Sequence, residues 1–242
     1  IYEMLRDTGL SVLDLFMIGA AAGIIIGTLN YSGIGFTLTL ALLQLAGESL
    51  WGLLALAAVV SIILGMGMPT VGVYILLATL VAPALIKMEI TPIAAHMFIM
   101  YYGCLSMITP PVAIGAFAAA NLAGSDPMRT GFAAMGLGWT VFVIPFLFVF
   151  SGTLLMSGTW SAILIDFVTA IVGVWFVSAA IMGYGIRRLA ILSRVLHGVA
   201  GICVLVPLKA FTFAHWMNIG GACLIVALVA WDRLQARTPR AA

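Results

Sequence analysis

Between Glu48 and Lys87 the chain carries no charged side chain for 38 residues. The same happens over 36 residues from Glu89 to Asp126, and again over 36 from Arg129 to Asp166. A helix that crosses the hydrocarbon core of a bilayer needs about 20 mostly apolar residues. Each run therefore has room for more than one crossing, or for a bent, re-entrant element. Charged residues are 7% of the 242, against about a quarter in a soluble domain. That excludes a soluble globular protein, a disordered chain and a nucleic-acid binder built on basic patches. A formal net charge of +2 is too small to select a polyanionic partner. The fold class expected is an all-α polytopic membrane protein. Cys104, Cys203 and Cys223 are dispersed through apolar segments, without disulfide or zinc spacing, and read as small apolar fillers. The chain opens Ile1-Tyr2-Glu3, with no initiator Met and no signal-peptide pattern, so it is expected to be the C-terminal part of a longer protein.

Four segments follow from the punctuation. Residues 1–49 hold a polar lead-in with Glu3, Arg6, Asp7 and Asp14, a first span over 12–33, and a short arm over 36–46. Gly19, Gly23 and Gly27 make a stripe on one face of that span, a spacing that lets another helix approach closely. Asn30 to Gly35 are turn formers. Residues 50–124 hold two elements. The first, 50–86, has two arms, 50–64 and 71–86, around Gly65-Met66-Gly67-Met68-Pro69-Thr70, and reads as a re-entrant hairpin. The second, 91–124, starts with Thr91 as cap and Pro92 at the first helical position, runs to Met107, breaks at Ile108-Thr109-Pro110-Pro111, and resumes to Asn121. Residues 125–185 carry further spans at 131–156 and 160–184; residues 186–242 carry a two-span extension, 189–208 and 211–231, and a polar tail. Arg187, Arg188 and Arg194 lie in one loop, and Arg233, Arg237 and Arg240 in the tail. The positive-inside rule puts both on the cytoplasmic face, two spans apart.

The two breaks carry the chemistry. An unsatisfied backbone group in hydrocarbon costs several kcal/mol, so irregular backbone survives at membrane depth only inside protein or against a polar cavity. Proline strips the partner from the carbonyl four residues back. Pro69 is expected to free Gly65, and Pro110 and Pro111 to free Ser106 and Met107. With the hydroxyls of Thr70, Ser106 and Thr109 these make an all-oxygen environment, which suits a hard cation such as Na⁺. Half-helices starting near Thr70 and Val112 point their N-termini into the same region and favour an anionic group such as a substrate carboxylate. The residues expected to face substrate are Thr70, Thr109, Pro110, Val112 and Asn121, and Na⁺ is placed at Gly65, Thr70 and Ser106. A re-entrant hairpin paired with a broken helix is a signature of secondary transporters.

Other polar positions read more plainly. Asp166 could carry a proton but is read as an interfacial residue near the start of its span. His96 is read as a packed, hydrogen-bonded histidine, and His215 and Lys209 as headgroup contacts. Pro145 and Pro207 read as ordinary kinks. The tryptophans lie mostly near span ends, as interface anchors do.

Gly65-Met66-Gly67-Met68-Pro69-Thr70, then Ala82-Pro83-Ala84, then Ile108-Thr109-Pro110-Pro111-Val112, resemble the large membrane subunit of TRAP (tripartite ATP-independent periplasmic) transporters. Met68-Pro69-Thr70 and the two-span basic tail resemble the TAXI-associated branch, in which small and large subunits are often fused. The resemblance covers residues 10–185 well and the tail more loosely. It implies an elevator-type fold, with a transport domain at 50–124 and scaffold or arm helices at 1–49. It implies Na⁺-driven symport of small organic acids or similar solutes across the bacterial inner membrane, with Na⁺ as coupling ion and no other cofactor. Its implied partners are a TAXI-type periplasmic solute-binding protein and a small membrane subunit or fused N-terminal helices. It places cation ligands at Gly65, Gly67, Met68, Thr70, Gly103, Ser106 and Thr109. Only one hairpin and one proline-pair break are present, so the chain is expected to hold half of the transport domain.

A channel-like pore, with the hairpin tip as filter, is the alternative function. An enzyme is not expected: the sequence offers no Ser/His/Asp set, no His-Glu-x-x-His and no buried carboxylate pair.

Overall fold

The structure, a computed structural model, describes residues 2–47, 49–207 and 213–237. Lys209 and Arg240, and the side chains of Asp14, Asn30 and Arg237, lie outside the described residues. Twelve α-helices and no strands occur among the described residues. By length and apolar composition Thr70–Lys87, Trp160–Met182 and Ala214–Gln235 are long enough to cross a membrane, and two bent pairs bring the number to five. This is an all-helical chain with the lengths and composition of a polytopic membrane protein. The chain divides into two compact units, Ile1–Val149 and Phe150–Ala242.

In the first unit, α1 (Tyr2–Ser32) is helical from its second residue, so the expected lead-in is part of the helix. Nothing in Tyr2–Leu13 except Gly9 opposes a helix, and charge alone does not break one. Gly33, at φ 69°, turns the chain into α2 (Ile34–Ala46), about 69° from the end of α1. An αL position is one that glycine occupies without strain. Among the described residues nothing lies within 4 Å of Gly23 or Gly27 in the glycine stripe of α1, and the surroundings of Gly19 lie outside the described residues.

α3 (Leu50–Gly65) opens on Ser49, whose Oγ accepts from the Gly52 N–H at 3.1 Å. α4 (Thr70–Leu80) and α5 (Ala82–Lys87) form the second hairpin arm. At 18 residues this arm is longer than expected and reaches spanning length. The core lies where α3, α4 and α6 (Pro92–Leu105) meet, through Leu53, Leu54, Ala57, Val73, Leu77, Ala95, Phe98 and Ile99, all essentially inaccessible. Pro92 opens α6 as expected, but Thr91 makes no side-chain capping bond; the first turn rests on the proline instead. His96 is packed, with Nδ1 3.2 Å from the Tyr74 hydroxyl.

α7 (Ile114–Ala123) is followed by α8 (Pro127–Leu137), which Asp126 caps by accepting from the Arg129 N–H at 2.8 Å. The single span expected over 131–156 is instead α8 and α9 (Trp139–Phe150), bent by 43° at Gly138. Pro145 sits inside a continuous α9, so the bend belongs to the glycine. Phe146 of α9 packs on Trp51, Phe98 and Tyr102.

The second unit holds a 3₁₀ turn at Gly152–Leu155, then α10 (Trp160–Met182), α11 (Ile191–Leu205) and α12 (Ala214–Arg237). Pro207 follows the end of α11 rather than kinking it. α10 and α11 cross closely at Gly173 and Gly201: a Cβ on Gly201 would lie 2.8 Å from the Val177 nitrogen and 2.9 Å from the Gly173 carbonyl oxygen. His215 is exposed, and Cys104, Cys203 and Cys223 are free thiols.

Those contacts are with backbone, which cannot swing aside. Gly201→Ala is expected to destabilise the protein by about 1–3 kcal/mol through overpacking. Gly23→Ala, with open space around it, should be neutral or stabilising by about 0.5–1 kcal/mol. Thermal unfolding of the two variants in detergent, against the parent, checks both signs.

Candidate functional site

The hairpin tip begins where α3 stops at Gly65. Met66 is extended, Gly67 takes φ 78°, and Pro69 is extended and caps α4. The positive φ explains the glycine, since a side chain there would be strained. The Gly65 carbonyl loses its helical partner to Pro69, and the Met68 N–H reaches it only weakly, at 3.4 Å.

The second break is wider than expected. α6 ends at Leu105 rather than Met107, and α7 starts at Ile114 rather than Val112. The eight residues between them include a cis Pro110–Pro111 peptide, and Ala113 at φ 29°. Two consecutive imino acids remove two helical donors, so the chain abandons the helix a turn earlier. The Met107 carbonyl, expected to be free, instead accepts from the Gly115 N–H at 2.9 Å. Pro110 offers the Ser106 carbonyl no N–H. Thr109 turns inward, and its Oγ1 donates to the Leu105 carbonyl at 2.7 Å. α8 closes over the break: a Cβ on Gly131 would stand 2.8 Å from the Pro110 ring.

The two breaks meet at Ser106. Its Oγ lies 2.8 Å from the Gly65 carbonyl oxygen and 2.7 Å from that of Gly103. Ser106 is 3% exposed, and Gly65 and Gly103 are buried. The approach depends on both glycines. A Cβ on Gly65 would fall 2.7 Å from the Gly103 oxygen, and one on Gly103 would fall 2.9 Å from the Leu77 side chain. A hydroxyl has one proton and can donate to one acceptor at a time. Two carbonyl oxygens therefore share a single strong donor, and the backbone N–H groups of Met68 and Ser106 add only 3.4 Å contacts. Such a cluster is short of positive charge. Its neutral, hard oxygens match what a hard cation takes as ligands.

The remaining expected residues are placed less centrally. Thr70 is the first residue of α4 and is exposed, as is Gly67; Met68 is half-buried beside them. Thr109 and Pro110 belong to the second break, and Val112 is half-buried just before α7. Asn121 is exposed in the last turn of α7, away from the break. The geometry joins Gly65, Gly103 and Ser106, and leaves Thr70 on the rim of the tip.

The second unit buries carboxylates that the sequence placed at an interface or in the tail. Asp166, expected at an interface, is 7% exposed and receives hydrogen bonds from Ser151 and Thr153. Those hydroxyls come from the 3₁₀ turn and the residue before it, which the sequence placed inside a span. Asp232, counted with the polar tail, is 1% exposed. It accepts from Arg187 Nε at 3.0 Å and faces His197 Nε2 at 3.3 Å. Arg194 donates to the Ala180 and Ile181 carbonyls at 2.8 and 2.7 Å, closing the end of α10. The one signal for Asp232 was a carboxylate directly after the apolar run of α12, a turn before its end.

Among families of known proteins, the model for the tripartite ATP-independent periplasmic transporter, DctM component, matches residues 1–146. No curated protein and no solved structure matches the chain. The matched segment contains both breaks and ends within α9.

Ser106→Ala removes the shared donor and leaves two buried carbonyls with weak contacts. It should cost about 1–3 kcal/mol. Tyr102→Phe, which loses the hydroxyl that donates to the Phe142 carbonyl at 2.6 Å, should cost about 0.5–1.5 kcal/mol. Unfolding midpoints of the purified variants measure both, with Ser106→Ala the lower.

Proposed function

The chain belongs to the DctM family, the permease component of tripartite ATP-independent periplasmic transporters, and we propose that its two breaks form part of a Na⁺ site that drives solute uptake. The family makes it a transport protein of the membrane, working with a periplasmic binding protein and a small membrane subunit. The finer reading is a Na⁺-coupled importer of small organic acids in the bacterial inner membrane. Its binding protein is of TAXI type, its C-terminus is cytoplasmic, and an elevator motion carries residues 50–124.

The observation that carries this reading is the sharing of one Ser106 proton between the Gly65 and Gly103 carbonyls. Gly65, Gly103 and Ser106 would hold the ion, with Gly67, Met68, Thr70 and Thr109 around them. A bound Na⁺ supplies the positive charge that the oxygen cluster lacks. The chain's own residues do the rest. The hairpin tip and the second break are tied by one hydroxyl, so whatever displaces that hydroxyl changes how the two segments hold each other. The N-terminus of α4, at Thr70, favours a carboxylate beside the cation. Thr109, Pro110 and Val112 line the same break. An anion and a cation stabilise each other when bound together, which is what coupling requires.

In proteoliposomes holding the complete transporter with its binding protein, Ser106→Ala should raise the half-saturating Na⁺ concentration at least about tenfold, a loss of about 1.4 kcal/mol of ion affinity. Thr70→Ala should weaken it less, given its rim position. Uptake with unchanged Na⁺ dependence in both variants would defeat the assignment. Solute flux without any coupling would favour a passive pore.

A further inference from the structure

We propose that one face of α12 binds an anionic glycerophospholipid, outside the part of the chain that the family accounts for. Ile225, Val226, Val229, Ala230, Arg233 and Leu234 line an open cleft of about 520 Å³. Their spacing puts them on one side of the helix, in a strip that runs along its axis. At 1.5 Å per residue the strip is about 13 Å long. It lies in a helix long and apolar enough to cross a membrane, and Arg233 stands two residues from the end of that span. Val226, a turn and more deeper, is 69% exposed. Trp231 is exposed at the level of the arginine, where an interface anchor sits. An elongated apolar strip with a cation at its polar end is the complement of an acyl chain with an anionic head. Val229 also borders the small cavity that Trp175 and Phe176 line, so α10 stands beside the strip.

The charge at this end of the unit is unbalanced. Asp232 is its one carboxylate among the described residues, since Asp166 lies towards the other end of α10. Arg187 takes up Asp232 through Nε at 3.0 Å, so that carboxylate is already engaged beside Arg233. Arg194 is spent on the Ala180 and Ile181 carbonyls. Arg188 and Arg233 are left exposed, with no ion-pair partner among the described residues. A guanidinium offers paired N–H donors that match a phosphate. A free phosphate would meet the arginines and leave the apolar strip uncovered. A neutral lipid would cover the strip and leave the arginines without an anion. An anionic lipid answers both, with its chain along Val229 and Val226 and its phosphate at Arg233. Basic pockets beside membrane-spanning helices take anionic headgroups for the same reason.

The test reconstitutes the full chain in nanodiscs of phosphatidylcholine and phosphatidylglycerol in equal parts, and counts retained lipids by native mass spectrometry. Phosphatidylglycerol should be retained at least about fivefold over phosphatidylcholine, the effect of roughly one arginine at a charged surface. In Arg233→Gln the two lipids should be retained about equally. Arg188→Gln is the second variant and should act in the same direction; both side chains are exposed, so neither change disturbs the packing. Arg6→Gln removes an exposed arginine of the first unit and should leave the preference intact. Val226→Trp fills the strip and should lower retention of both lipids. Glycerol phosphate in large excess, a head without chains, should not displace phosphatidylglycerol. Equal retention by the parent, a preference that survives both Arg233→Gln and Arg188→Gln, or an equal loss in Arg6→Gln would overturn the proposal. So would unchanged retention in Val226→Trp, or displacement by glycerol phosphate, which would mark a site for phosphate alone.

Discussion

A helix that stops inside an apolar bundle must find hydrogen bonds for the carbonyls it abandons. In the first unit that demand falls on Ser106. α3 ends at Gly65 and α6 one residue before Ser106, and the same hydroxyl answers a carbonyl from each. The neighbouring residue types follow from this. Gly65 and Gly103 are glycines because the approach leaves no space for a Cβ. Val73 and Leu77 fill the far side of Gly103 and hold α4 against the crossing. Tyr102, the residue before Gly103, ties α6 to α9 through the Phe142 carbonyl. The hairpin and the broken helix are thus one packed object with a polar centre of three oxygens.

That solution is incomplete by one donor, and the second unit shows how else polar atoms are kept in such surroundings. There the Arg187 guanidinium faces the buried Asp232 carboxylate at 3.0 Å, with the His197 ring 3.3 Å from its other oxygen. Removing a partner from a buried charge is strongly destabilising, so such clusters lock helices together. The Ser106 cluster involves no full charge. Its deficit is smaller and is compatible with a site that is filled and emptied. An arrangement saturated with its own donors would have nothing to offer an ion.

The positions of the breaks were legible in the sequence, because Gly, Pro and hydroxyl residues act locally. Gly65 to Thr70 and the Pro110–Pro111 pair interrupt helices as their chemistry requires. The extents were less legible. The second break spreads over eight residues because Gly115 satisfies Met107 from the far side, a long-range choice that no local pattern encodes. Apolar runs hid the bend at Gly138, where a glycine decides and the nearby Pro145 does not. Convergence of Gly65 with Ser106 could be guessed from proline geometry, whereas Gly103 was implied only by the family resemblance. The exposure of Asn121 and Thr70 could not, since helix rotation depends on packing partners elsewhere. Asp166 and Asp232 looked like surface charges because composition alone does not reveal that a hydroxyl pair or an arginine waits across the bundle.

The arginines of the 183–194 region illustrate how one set of residues answers two demands at different times. Orientation during insertion reads the charges of a chain that has not yet packed, so Arg187, Arg188 and Arg194 all count. Packing then divides them. Arg187 goes to Asp232 and Arg194 to the last carbonyls of α10, while Arg188 and Arg233 stay exposed. The buried carboxylate selects which arginine is withdrawn. Because Asp232 is held from two sides, the rotation of α12 about its own axis is fixed, and with it the outward direction of Arg233, one residue and about 100° further round the helix. The arginines that the positive-inside rule counts and the one that holds the buried carboxylate are therefore drawn from the same short stretch, 187–194, and the end of the second unit that carries this positive surface is also the end where its three helices are tied.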